Sequence, residues 1–97
     1  MDPELAALRA AIDELDREIL ELIAQRVEVV LRVGDYKRER GMKVYDPTRE
    51  REVLEVLCTL GRPPLTSSTI RRVFERLIDE SRRLEQGHVS ADPPRTK

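Results

Sequence analysis

Tryptophan is absent from this 97-residue chain, and one phenylalanine and two tyrosines make up its whole aromatic content, 3% of residues. So thin a supply argues against a base-stacking platform. Charge of one sign is missing too. Eighteen basic residues against nineteen acidic ones leave a net charge of −1, whereas a nucleic-acid footprint is strongly basic. With one cysteine, Cys58, no internal disulfide can form, and a reducing cytoplasm is the expected compartment. Asp2 and Glu4 stand where a secretory signal would carry a positive start and an apolar run, so no signal peptide is expected. No apolar stretch approaches the length of a membrane span. There is no strand pattern, no internal repeat and no glycine-rich phosphate loop. No group of Cys, His and carboxylates has metal-ligand spacing, and no Ser/His/Asp or Cys/His set exists for covalent catalysis. Neither metal nor cofactor is expected.

What is present is helix-forming. Charged residues are 38% of the chain and apolar ones 39%, with Leu, Ile, Val, Glu and Arg prominent, a composition that suits helices. Asp2-Pro3 reads as a cap followed by a first-turn proline. From Glu4 no breaker occurs until Gly41. Leu5, Leu8, Ile12, Leu15, Ile19, Leu22, Val29, Val33 and Tyr36 recur at spacings of three and four, with one gap. A second helix is expected from Pro47 to Leu60, capped by Asp46 and stopped by Gly61. "RPPL" is a linker. A third helix is expected from a Thr66 cap, with Leu65 and Ile70 placed as a hydrophobic staple, to Gly87. Residues 1–87 thus form one all-α domain of three helices, and the polar tail from His88 to Lys97 is expected to be disordered.

The first helix is too long for a compact monomer. About 36 residues at ~1.5 Å each span roughly 54 Å, against a diameter of roughly 35 Å for a compact domain of this size. Much of its apolar stripe would be left in water, so an intertwined helical homodimer built along the first helix is expected.

Several polar residues break the pattern. Arg26 fills the gap in the first helix's seam. Its partner is either a carboxylate in a buried ion pair, a snorkelling path to water, or a bound anion. Lys37 follows eleven residues later, nearly three turns on, so it shares that face. Gly34, which costs about 1 kcal/mol against alanine in a helix interior, marks either a close approach to the backbone or a loosening helix. Arg9 lies about 25 Å before Arg26 on the same helix. It can join Arg26 at one small ligand only if an antiparallel partner chain brings it there. Arg49 stands in the first turn of the second helix, where the helix dipole disfavours a cation by a few tenths of a kcal/mol, roughly. Ser81 falls in the apolar stripe of the third helix, with Glu85 one turn beyond on the same face.

Taken together, these residues resemble the all-helical (AroQ-type) chorismate mutases. "LAALRAAIDELDREILELIAQR" looks like that family's opening helix, with Arg9 and Arg26 at its two arginine positions. "VGDYK" is similar to its Gly-x-x-Lys segment and carries Lys37. "YDPTRERE" resembles its Asp-x-x-Arg-Glu helix start, with Asp46, Arg49 and Glu50. "DESRRLE" matches its closing segment, with Ser81 and Glu85. The resemblance covers residues 4 to about 86.

The resemblance implies a cofactor-free rearrangement of chorismate to prephenate, in aromatic amino-acid biosynthesis. Arg26, and Arg9 from the partner chain, would clamp the two carboxylates in the forked geometry that suits arginine. Lys37 would donate to the ether oxygen and a carboxylate, and Glu50 with the Asp46 backbone would hold the ring hydroxyl. Ser81 and Arg49 would complete the carboxylate end, with the start of the second helix favouring the anion. Some members carry Gln for the ether oxygen and others Glu. Glu85 takes that place here, since Gln86 is about 100° further round the helix. Three other readings compete. An isochorismate pyruvate lyase would use the same clamp. A non-catalytic helical dimerisation module would leave these charges solvated. A regulatory role would dock the chain on another shikimate-pathway enzyme.

Overall fold

The computed structural model describes residues 2–91. It contains three helices, α1 (Pro3–Glu39), α2 (Pro47–Leu60) and α3 (Ser67–Ala91), and no strand among the described residues. Each helix starts as its sequence dictates. Asp2 Oδ1 accepts from the Glu4 N–H at 2.9 Å, and Asp46 Oδ1 accepts from the Arg49 N–H at 3.0 Å. Thr66 Oγ1 accepts from the Thr69 N–H at 3.1 Å. Each bond satisfies an amide that the helix leaves without a partner.

α1 ends in a left-handed Gly41, φ +66°. The Met42 N–H reaches the Lys37 carbonyl at 2.8 Å and the Gly41 N–H reaches the Arg38 carbonyl at 3.2 Å. This paired closure needs a residue without a Cβ penalty at the turn. Gly61 is different. It follows α2 in extended backbone with φ −69°, so left-handed freedom is not why glycine stands there. A Cβ at Gly61 would lie 2.0 Å from Ile70 Cδ1, so Gly61 lets the start of α3 close onto the end of α2.

The expected stop at Gly87 is not where α3 ends. The helix continues to Ala91, so residues 88–91 of the expected tail are helical, and the rest of that tail, 92–97, lies outside the described residues. A glycine costs a helix only about 1 kcal/mol. Contacts of the last turns with α1 offset it: His88 Nε2 lies 2.9 Å from Asp35 Oδ1, and Val89 packs over Gly34.

α3 packs against both other helices, whereas α1 and α2 do not pack on each other. The core is correspondingly small, with Ile70 and Ile78 its buried apolar residues. The molecule measures 62 × 29 × 14 Å, with a radius of gyration of 17.6 Å, against about 13 Å for a compact chain of this length. It exposes 7986 Å², roughly 2,300 Å² more than the ~5,700 Å² of a compact monomer of its mass. Much of the excess is the apolar stripe of α1. Leu8 is 58% exposed and Leu22 63%, with Ile12, Leu15 and Ile19 also more than half exposed between them. No described helix is long and apolar enough to cross a membrane.

Candidate active site

Where α1 and α2 stand apart over α3, a cavity of about 430 Å³ opens, a size that suits a small ligand. Its walls are partly apolar, from Val29, Val33, Val53 and Ile78. Its polar lining contains Arg26 and Lys37 from α1, Asp46, Arg49 and Glu50 from the start of α2, and Ser81 and Glu85 from α3. Residues separated by almost sixty positions thus converge. Arg9 does not: it is exposed on the N-terminal half of α1 and is not part of the cavity wall.

Arg26 is half-buried. Its Nη1 donates to Ser81 Oγ at 3.0 Å, and the Ser81 hydroxyl donates in turn to the Leu77 carbonyl at 2.7 Å. Ser81 therefore back-bonds to its own helix and anchors the arginine at the same time. Burial, and then the neighbouring Arg49 cation, push the Arg26 pKa below the ordinary arginine value. Lys37 Nζ donates to the Val44 carbonyl at 3.0 Å. That leaves two of its three protons for other acceptors. Among the described residues, no carboxylate lies within ion-pair reach of Arg26, Lys37 or Arg49. The seam arginine is thus held by a hydroxyl rather than by an ion pair, and three cations are left around one cavity. Such clustering repels itself until an anion arrives.

Glu85 is 7% exposed. Burial raises its pKa above the ordinary glutamate value. Lys37 works against that rise, and Glu50 adds to it. The neutral acid can donate a hydrogen bond, which the carboxylate cannot. Gly34 explains how Glu85 fits. A Cβ there would lie 2.9 Å from Glu85 Cγ and 3.1 Å from Val89 Cγ2. The close approach to the α1 backbone is thus made by α3, and Gly34 is the buried residue of α1.

One lining residue, Arg82, is not among the site residues expected from the sequence. Arg82 Nε donates to Glu50 Oε2 at 3.0 Å, and its Nη2 is bonded to Asp79. Sequence spacing does place it on the face of Ile78 and Glu85, which is the clue available without a structure.

This is a cation-lined cavity in an all-helical scaffold, with a buried acid among its lining residues. The chain matches the family model described as chorismate mutase type II over residues 8–86, and it belongs to that family. It is 41% identical over 79 residues to the T-protein of Enterobacter agglomerans, covering 76% of this chain and 21% of that protein. It is also 29% identical to a chorismate mutase of Methanocaldococcus jannaschii, covering 100% of this chain and 99% of that one. The chain spans about a fifth of the length of the curated relatives it matches first, the T-proteins and bifunctional chorismate mutase/prephenate dehydratases. Among solved structures it is similar to a chorismate mutase of Thermus thermophilus, with TM-score 0.83 and 36% identity over 86% of this chain and 94% of that one. A Helicobacter pylori chorismate mutase in complex with prephenate superposes with TM-score 0.87 at 28% identity, covering 95% of this chain and 100% of that one.

Proposed function

We propose that the chain is a chorismate mutase, which converts chorismate to prephenate by an intramolecular Claisen rearrangement. The reaction breaks the ether C–O bond as a C–C bond forms, with no cofactor and no covalent intermediate. The observation that carries this reading is the pairing of three cations, none bound to a carboxylate, with a buried acid across one cavity. The cations match a dianion, and the neutral acid supplies a donor for an oxygen that gains charge in the transition state. Holding a flexible substrate in its compact reactive shape contributes the remaining acceleration.

Each residue has a role that its surroundings support. Arg26, held by Ser81, presents its remaining donors to a carboxylate. Arg49 adds a second cation beside it. Lys37, steadied by the Val44 carbonyl, gives its two remaining protons to the ether oxygen and a carboxylate. Glu85 donates to the same ether oxygen as the neutral acid. Glu50 and the Asp46 backbone hold the ring hydroxyl.

The site is completed by a second copy. The exposed stripe of α1 and the excess of exposed surface favour a homodimer with two equivalent sites. Arg9 then reaches the partner's cavity from the far end of the partner-facing helix. The single half-buried Cys58 fits a cytoplasmic enzyme. Purified protein offered chorismate and isochorismate separately tests the reading. Prephenate from chorismate is the expected product. Pyruvate released from isochorismate, with chorismate untouched, would make the chain a lyase instead.

A further inference from the structure

Arg82 spends its guanidinium on neighbours rather than on the cavity it borders. Nε is bonded to Glu50 Oε2 at 3.0 Å, Nη2 is bonded to Asp79, and the guanidinium sits 4.8 Å from the centroid of the Tyr45 ring. Those partners come from α2, from α3 itself and from the connection between α1 and α2. Arg82 therefore ties together the three segments that form the Glu50 end of the cavity. The pair is sheltered, with the Arg82 side chain 24% exposed and that of Glu50 25%. The hydrogen bond to Glu50 holds the Arg82 pKa above the ordinary arginine value, against the opposing effect of burial.

A carboxylate only accepts hydrogen bonds. With Oε2 engaged by Arg82, Oε1 is the Glu50 oxygen with both lone pairs free to accept from a ligand. A glutamate without that anchor has several rotamers and would lose their entropy on binding. We propose that Arg82 is a positioning residue for the hydroxyl end of the substrate. It holds Glu50 in the rotamer whose Oε1 accepts the ring hydroxyl, and through Tyr45 it steadies the connection that carries Val44 and Asp46. The proposal rests on the chorismate mutase reading given above.

The test compares chorismate with an analogue whose ring hydroxyl is replaced by hydrogen, using the full chain. Arg82→Gln should lower kcat/KM for chorismate by roughly tenfold, within the range that coupled neighbours show. On the analogue the same change should matter by less than about twofold, since nothing remains there for Glu50 to accept. The double variant Arg82→Gln/Glu50→Ala should be no slower on chorismate than Glu50→Ala alone. An equal loss on both substrates, or losses that multiply in the double variant, would show that Arg82 merely supports the fold. If circular dichroism shows Arg82→Gln unfolded, Arg82→Lys carries the same comparison. It keeps a cation without the fork, and a loss confined to chorismate supports the proposal while an equal loss overturns it. A parent protein that forms no prephenate would overturn the functional reading itself. An active parent with equal losses in the variant overturns this inference alone.

Discussion

Arg26 and Ser81 are 55 residues apart in sequence and 3.0 Å apart in space, with guanidinium Nη1 donating to the hydroxyl oxygen. The bond joins α1 to α3 and leaves a half-buried cation aimed at a cavity rather than paired with a carboxylate. On the proposed function, Arg26 serves binding at some expense to the fold.

Two substitutions separate those effects. Arg26→Met should reduce kcat/KM by about 10²–10³-fold, as removal of one charge-stabilising donor does. It should also raise unfolding stability by up to about 1 kcal/mol, because an unpaired, partly buried cation is replaced by an apolar side chain. Ser81→Ala keeps the cation but removes its anchor, and should lower kcat/KM about tenfold while costing about 1 kcal/mol of stability. Urea denaturation and steady-state kinetics measure both. An Arg26→Met protein with unchanged kcat/KM would show that Arg26 does not hold the substrate, and a parent without mutase activity whose Arg26→Met variant is only more stable would favour the dimerisation-module reading.

Glu85 should make activity pH-dependent. Its raised pKa means that the neutral donor persists above the ordinary glutamate range. The rate should be high on the acid side and fall as Glu85 ionises. Stability follows the same sign. The folded chain holds a proton that the unfolded chain has lost, so stability falls as pH rises from about 4.5, the ordinary value, through the folded value. Glu85→Gln supplies a permanent donor and removes the titration. It should hold its rate at alkaline pH, where the parent loses it, and melt higher than the parent there. A flat parent profile from about pH 5 to 9 would exclude this role for Glu85.

Gly34→Ala sets helix propensity against packing. Alanine gains about 1 kcal/mol in a helix interior. The new methyl would meet Glu85 Cγ at 2.9 Å and Val89 Cγ2 at 3.1 Å. Neither is the free end of a long side chain, and overpacking costs typically ~1–3 kcal/mol. The net effect should be a loss of about 1 kcal/mol in a thermal melt. Displacement of Glu85 should reduce kcat at least about tenfold. Unchanged kcat would mean that the Glu85 position tolerates movement.

The helices were legible because their signals are local. Asp2-Pro3, Asp46-Pro47 and Thr66 cap the helices they precede, and the spacing of Leu5 to Tyr36 fixes α1. The lining of the cavity was legible for a related reason. Arg26 and Lys37 share one face of α1, as do Ser81 and Glu85 on α3, and packing brings those faces together. Arg82 escaped because beside Arg83 it reads as solvated charge. Its role depends on where the start of α2 crosses α3, which no period encodes. The end of α3 was misplaced for the same kind of reason. Gly87 is a local stop signal, but Asp35 and Gly34, more than fifty residues earlier, hold the next turn in place. Arg49, at odds with the dipole at the start of α2, is explained by the cavity it faces.

A site shared between two copies predicts complementation. Arg9→Ala and Arg26→Ala should each be nearly inactive alone. Refolded together they should recover activity, since one of the two sites in the mixed dimer carries both lesions and the other carries neither. Sedimentation equilibrium should give twice the 11.2 kDa chain mass. No recovery under conditions that exchange subunits would place Arg9 outside the partner's site.

On the proposed function, these cations and this acid, in this cavity, turn chorismate into prephenate. The most direct measurement follows chorismate consumption and prephenate formation by the parent and by Lys37→Ala, in chelator-containing buffer and at matched fold content. The parent should form one prephenate for each chorismate consumed, and Lys37→Ala should be slower by about 10²-fold or more. Conversion at the same rate by both proteins, or none by the parent, would contradict it.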